Sequence, residues 1–242
     1  MSQRVAIVFG VGAANGLGAG LARRFAAEGL HVVVAGRTEA RLRATAAALR
    51  EEGGSVEAVV ADVTREADVI AALDAAGRSG VPELVVYNVG NNAMIPLLDV
   101  SAEVFEDLWR QNALGGFLVG REAVRRMLSS GAGTLIYTGA TASLRARPPF
   151  TAFAAAKAAL RAVAQGIARE FGPRGIHVAH VVIDGVIRGE YAATRFPDFV
   201  RAKGEDGLLE VHAIADAYWA LHRQSRSAWT HELDLRPFRE VF

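Results

Sequence analysis

The sequence predicts an α/β fold: one doubly wound domain over residues 1–242, its mostly parallel seven-stranded sheet flanked by helices on both faces. Three observations predict it. Short β-branched runs alternate with stretches rich in Ala, Leu, Arg and Glu, the pattern of successive βαβ units. Runs such as His31-Val-Val-Val-Ala35 are apolar at consecutive positions, as strands buried on both faces are. No linker-like segment divides the chain, because Gly53-Gly54, Gly131–Gly133 and Arg147–Pro149 each make a single loop.

The elements follow in order. A strand over Val5–Phe9 meets Gly10 and leads to a helix over Gly16–Gly29; His31–Ala35 and Glu39–Glu52 repeat the pair, as do Val56–Ala61 and Arg65–Ala76. A fourth strand over Glu83–Tyr87 precedes a long helix over Ala102–Leu128, and a fifth over Thr134–Thr138 precedes a helix over Ala152–Phe171. A sixth strand spans His177–Ile183 and a last one falls near His231–Leu235. Parallel neighbours joined by helices require right-handed crossovers.

Composition narrows the function. With 51% hydrophobic and 22% charged residues the chain is globular, and its length buries a sizeable core without metals or disulfides. A net charge of +1 offers no footprint for nucleic acid or a membrane surface. The absence of cysteine excludes disulfides, thiolate metal sites and a cysteine nucleophile, and fits a cytoplasmic setting. The apolar run at the N-terminus is too short for a signal peptide. No apolar stretch reaches the ~20 residues of a membrane helix. The six histidines are scattered, and His177 and His180, three apart on a strand, face opposite sides, so no metal site is expected.

Chemistry enters at the first turn. Gly10-Val-Gly12-Ala-Ala-Asn15-Gly16-Leu17-Gly18 joins the first strand to the first helix, with glycines at Gly12-x-x-x-Gly16-x-Gly18. Glycines let the backbone approach a ligand, and free N–H groups at the helix start favour phosphate oxygens, so the loop suits a dinucleotide pyrophosphate. At the end of the second strand stands Arg37, where an acidic residue would accept from an adenosine ribose. Arg37 either holds a 2′-phosphate, favouring NADP(H) over NAD(H), or is a solvated arginine; its place at a helix start, poor for a cation, favours a bound anion.

The glycine spacing resembles that of the short-chain dehydrogenase/reductase superfamily, and later landmarks extend the resemblance over nearly the whole chain. Asp62-Val63 looks like the family's adenine-contacting pair, and Asn88-Val89-Gly90 resembles part of its Asn-Asn-Ala-Gly segment. Asn112 matches the asparagine that kinks the fourth helix and anchors a lysine-bound water, and Lys157 matches the lysine of its Tyr-x-x-x-Lys motif. The resemblance implies a Rossmann-type dinucleotide fold, with Gly12, Asn15, Gly16, Leu17, Gly18, Arg37, Asp62, Val63, Asn88, Gly90 and Lys157 about the cofactor. It also implies association as a homodimer or homotetramer through the helix Ala152–Phe171 and the helix before it, though that alanine-rich helix is alternatively an inner layer of the monomer; the tail Trp229–Phe238 is another candidate contact.

The catalytic motif itself is broken. Phe153 fills the tyrosine position and Ala140, thirteen residues earlier, the serine position. General acid catalysis contributes ~10²–10⁴-fold and one oxyanion donor ~10²–10³-fold, so both losses together would weaken a simple ketone reduction severely. Four replacements are open: Thr141 beside the serine position, Asp184 at the end of the sixth strand (alternatively a turn residue before Gly185), Tyr137 (alternatively core), and a water held by Lys157 and Asn112. Arg145, Arg147, Arg188 and Arg195 either draw in an acidic substrate or are solvated loop residues, and Val186–Leu208 would form the substrate lid. The leading reading is an NADP(H)-dependent oxidoreductase acting on a small carbonyl or activated alkene, with Asn112, Lys157, Thr141 and Asp184 as candidate catalytic groups. The alternatives are a dinucleotide binder without catalysis and, at lower weight, lyase-like or isomerase-like chemistry.

Overall fold

A computed structural model describes residues 3–90, 92–204 and 206–240. The chain runs β1 (Val5–Phe9), α1 (Leu17–Ala27), β2 (His31–Gly36), α2 (Glu39–Glu51), β3 (Val56–Val60), α3 (Glu66–Gly77), β4 (Pro82–Tyr87), α4 (Ala102–Trp109), α5 (Gly115–Met127), β5 (Gly133–Thr138), α6 (Thr151–Phe171), β6 (Ile176–Ile183), α7 (Glu190–Arg195), α8 (Pro197–Lys203), α9 (Val211–His222) and β7 (Glu232–Leu235). All seven strands join one sheet in the order β3-β2-β1-β4-β5-β6-β7. Every neighbouring pair is parallel. The strand order reverses between β1 and β4, and ligands of open α/β sheets enter at such a reversal, beyond the carboxyl ends of the strands.

Alternate strand residues feed two cores. Ala6, Val8, Val32 and Val34 pack with Leu21, Phe25, Leu42 and Tyr218 from α1, α2 and α9. Val5, Ile7, Phe9 and Val33 pack with Val69, Leu118, Val119 and Leu160 from α3, α5 and α6. Burial on both sides is why the strands read as continuous apolar runs.

Two features differ from the sequence expectation. The single helix expected over Ala102–Leu128 is α4 and α5 joined by a π-helical turn at Arg110–Leu114. Side chains take carbonyls that a regular α ladder would use: the Tyr87 hydroxyl donates to the Gln111 carbonyl, and Asn112 Nδ2 donates to Leu108 O at 2.8 Å. A single turn with such shifted bonds is a common device at functional sites. The segment expected as a lid carries two short helices, α7 and α8, and Ile187 bridges Leu209, with Arg188 N donating to Leu209 O at 2.8 Å.

Since the Tyr87 hydroxyl satisfies a buried carbonyl of the π turn, Tyr87→Phe should destabilise the fold by about 1–3 kcal/mol, the cost of an unsatisfied buried acceptor. Urea denaturation would read this, and an unchanged midpoint would show that the turn does not depend on Tyr87.

Candidate active site

The first part of the site is a groove of about 230 Å³ at the β1/β4 reversal. It is lined by the β1 turn (Gly10–Gly12), the β2 end (Gly36–Thr38 with Arg41), Ala61–Val63 after β3, Asn88–Gly90 after β4, and Gln111. Gly10, at φ +89°, lies so close to β4 that a Cβ there would sit 2.7 Å from the Asn88 carbonyl carbon, so only glycine permits the approach. Asn88 Nδ2 donates back to Gly10 O at 3.3 Å, and Thr45 Oγ1 holds Gly12 O at 3.2 Å. A Cβ on Gly12 would meet nothing within 4 Å, so the loop faces open space on its groove side. Helix α1 starts after Gly16 with no acidic residue in its first turn, leaving its N–H groups for an anion.

Arg37 and Arg41 stand on the groove rim, and among the described residues neither has a carboxylate within ion-pair distance. Asp62 faces them across the groove. Burial pushes its carboxyl up, but bonds from the Thr64 N–H and hydroxyl, with the charges of Arg37 and Arg65, outweigh that and hold it below its usual range.

At the inner end of this groove lies Lys157, on α6. The residue is 4% exposed, and its ammonium donates to Thr138 O at 2.9 Å and Val89 O at 3.3 Å. Burial pushes it down to about 8. Gly90 separates it from the groove: a Cβ there would lie 2.8 Å from both Lys157 Nζ and Asn112 Oδ1. The π turn aims Asn112 inward, where its Oδ1 is buried without a protein partner. One turn before Lys157, the Phe153 ring centre lies 5.9 Å from Nζ, in cation–π range but with no proton to exchange.

Thr141 and Asp184 form a second group. Thr141 Oγ1 donates to Asp184 Oδ1, while Arg145 and Arg236 approach Oδ2 at 2.9 and 3.1 Å. With Asp234, which pairs with Arg236 at 2.5 Å, these residues line a hollow of about 200 Å³ beyond β5, β6 and β7. The carboxylate receives three donors and ties three loops together.

The comparisons with known proteins bear on this arrangement. The family model described as short chain dehydrogenase matches residues 4–198. The chain belongs to that family. It is 33% identical over 227 residues to an A-factor type gamma-butyrolactone 1'-reductase (1S-forming) of Streptomyces virginiae, covering 90% of this chain and 87% of that one. A solved short-chain dehydrogenase from Rhodopseudomonas palustris superposes with a TM-score of 0.82 at 38% identity, covering 97% of this chain and 99% of that one. A gluconate 5-dehydrogenase from Burkholderia cenocepacia J2315, solved in complex with NADP and tartrate, superposes with a TM-score of 0.84 at 26% identity, over 98% of this chain and 94% of that one.

Within this short-chain dehydrogenase fold, the residues singled out in the sequence fall into distinct places. Gly12, Arg37, Asp62, Val63, Asn88 and Gly90 line the groove, whereas Gly16, Leu17 and Gly18 build the start of α1 and Asn15 lies exposed on the loop before it. Asn15 O would lie 3.4 Å from a Cβ on Gly189, so the lid segment enters over the glycine loop. Lys157 and Asn112 meet behind Gly90, and Thr141 meets Asp184. Tyr137 is core: its hydroxyl donates to Gly116 O at 3.0 Å, and burial pushes its phenol well up. The four arginines do not act as one cluster, since Arg145 clamps Asp184, Arg188 pairs with Glu210 and Arg195 lies over the Tyr191 ring. Sequence reading missed Arg41, although its signal was available one helical turn beyond Arg37. Among the described residues no group of three or more His, Cys, Asp or Glu is placed to hold a metal, and no helix is long and apolar enough to cross a membrane.

The lysine is open to direct measurement, because Lys157 and Lys203 are the only two lysines in the sequence. Its folded value lies below the ordinary 10.5, so the fold is penalised at neutral pH, and stability is recovered as pH rises from about 8 to 10.5. Lys157→Met should therefore be more stable than wild type at pH 7, by up to about 3 kcal/mol, with the gap closing above pH 8. Denaturation of both proteins across pH 6–10 checks this; a gap independent of pH would contradict it.

Proposed function

We propose that this chain is an NADP(H)-dependent oxidoreductase that reduces, or in reverse forms, a small carbonyl or activated alkene, with the Lys157 ammonium as its proton donor. The observation that carries the proposal is a buried ammonium, held by two carbonyls, behind Gly90 of the groove that the β1 glycine turn helps to line. A family relative named as a reductase and a structural neighbour holding NADP support the oxidoreductase and cofactor parts.

The groove suits the cofactor in detail. The Gly12 side is open, the start of α1 offers N–H groups to a pyrophosphate, and Arg37 with Arg41 offers two guanidiniums to a 2′-phosphate. Asp62 and Val63 flank the adenine position, and Asn88 and Gly90 lead towards the nicotinamide end. A bound nicotinamide supplies the hydride; the remaining work falls to the protein. Lys157 holds the ribose hydroxyls and carries a proton whose affinity, near 8, suits transfer around neutral pH. Asn112 Oδ1, unpartnered and beside Nζ, orients a water that lets the proton reach a substrate oxygen or carbon above Gly90. Thr141 and Asp184 hold the loop after β5 in place rather than donate, because Asp184 accepts from two guanidiniums and the Thr141 hydroxyl. Phe153 closes the space a second acid would need. A site with one weakly placed acid favours acceptors that need little protonation, such as an enone or iminium.

Residues 1–242 form one domain in this reading, and the protein works as a homodimer or homotetramer, which the exposed Phe105, Trp109 and Phe117 on α4 and α5 support. The cysteine-free chain fits the cytoplasm.

NADPH oxidation with a panel of ketones and enones tests the activity. Because the donor must be protonated, reduction should fall as pH rises through about 8, and Lys157→Met should lose at least ~10²-fold. A rate flat through pH 8, or an active Lys157→Met, would remove Lys157 as the acid; tight NADPH binding without turnover on the whole panel would favour a non-catalytic binder. For the cofactor, Arg37→Ala and Arg41→Ala should each weaken NADPH by ~10–100-fold, the loss of a charged hydrogen bond, and leave NADH unchanged. Calorimetry reads the difference, and equal losses for both cofactors would contradict the 2′-phosphate role.

A further inference from the structure

Behind Lys157 lies a buried imidazole with no part in the reading above. His180 on β6 is fully buried; its Nδ1 contacts Glu232 Oε2 at 3.0 Å, and its Nε2 has no protein partner. Glu232 on β7 in turn takes Arg161 Nε at 2.5 Å and Nη2 at 2.8 Å. Arg161 stands one turn beyond Lys157 on the same face of α6, and Phe153 one turn before it. The Arg161 guanidinium holds the Glu232 carboxyl below its usual range. Glu232 is therefore an acceptor, the His180 proton sits on Nδ1, and Nε2 presents a lone pair.

That lone pair points at the backbone that anchors the lysine. A Cβ on Gly139 would lie 2.5 Å from His180 Cε1 and closer still to Nε2, so the ring fills the space beside Gly139. Gly139 follows Thr138, whose carbonyl receives the Lys157 ammonium, and its own N–H donates to Val181 O at 2.7 Å. On the other side of the ring's target, Ser143 Oγ accepts from Ala140 N at 3.1 Å. The charges facing this pocket are Lys157 and Arg161 from α6, Glu232 from β7 and His180 itself. Burial pushes the imidazole down to about 4 against the pull of Glu232, with Lys157 and Arg161 adding to the fall, so it adds no third cation at neutral pH.

We infer that His180 is a positioning residue for Lys157: wedged against Gly139 and tied through Glu232 to Arg161, it fixes the Thr138–Gly139 backbone whose carbonyl holds the ammonium. The inference builds on the reading of Lys157 as the acid, but its consequence is a property of the lysine, visible without turnover. His180 and Gly139 are complementary in volume, so each should be able to rescue the other.

The test uses full-length protein labelled with ¹⁵N,¹³C-lysine, in which Lys157 and Lys203 give two separable signals. His180→Ala should let water reach the pocket and raise the Lys157 titration midpoint by about one pH unit. Gly139→Ala should displace it by forcing the loop off the ring. In the double variant the new methyl group takes part of the imidazole's space, and the midpoint should return to within about 0.3 unit of wild type, a non-additivity expected only of groups in contact. His180→Asn, which keeps an amide towards Glu232, carries the test if His180→Ala does not fold. A folded His180→Ala or His180→Asn with Lys157 titrating as in wild type overturns the inference, as does a double variant displaced by the sum of the single effects. If the midpoints move as expected but the pH profile of turnover does not follow them, positioning by His180 stands and Lys157 falls as the acid.

Discussion

An ammonium placed out of reach of water is costly unless donors and acceptors around it are arranged in advance, and the arrangement around Lys157 accounts for much of the local architecture. Two carbonyls, of Thr138 and Val89, accept hydrogen bonds from it, and they come from the ends of two adjacent parallel strands. The π turn between α4 and α5 brings the Asn112 amide to the same point, which a regular helix would turn elsewhere. A Cβ on Gly90 would crowd both groups, each 2.8 Å from its position. What remains of the burial cost appears as a lowered proton affinity. In a site that has Phe153 where a phenol would stand, that lowered affinity is what the proposed role of Lys157 as the acid rests on.

The parallel sheet makes this economy of parts possible. Its strands all end on one side, so the loops after β1, β2, β3 and β4 build one groove while those after β5, β6 and β7 line a second hollow. The Thr141–Asp184–Arg145–Arg236 clamp closes the second group of loops with charge-assisted bonds between segments distant in sequence. The clamp holds the loop after β5, where Ala140 stands in place of the family's serine. The segment after β6 is held at the Ile187–Leu209 bridge, and its Gly189 approaches the Asn15 carbonyl of the glycine loop.

How much of this was legible in the sequence depends on the range over which each feature is encoded. The β–α alternation, the glycine spacing after β1, Arg37, Asn112 and Lys157 are local signals, read from a few adjacent residues or one helical period, and the fold they imply is the one observed. The resemblance of Asn112 implied a kink in the fourth helix, but not its form, a π turn in which a carbonyl accepts from the Tyr87 hydroxyl 24 residues earlier. Thr141 and Asp184 stood out separately as proton donors; that they satisfy each other across 43 residues emerges only when β5 and β6 pair. Tyr137 was open between core and site for the same reason, since its partner, the Gly116 carbonyl, lies on another element. His180 looked like one of several scattered histidines until the register placed it opposite Glu232 and beside Gly139. Pairings between distant segments carry the chemistry here, and periodicity says nothing about them.

The most direct test of the central claim is a crystal structure with NADPH and a non-reactive ketone or enone analogue. The expected complex has the 2′-phosphate between Arg37 and Arg41 and the ribose hydroxyls on Lys157 Nζ. In it, no side-chain acid other than that ammonium, directly or through one water on Asn112 Oδ1, lies within hydrogen-bonding reach of the analogue's polar atom. A complex in which Asp184 or Thr141 leaves the clamp and contacts that atom, with Lys157 remote from it, would contradict the account.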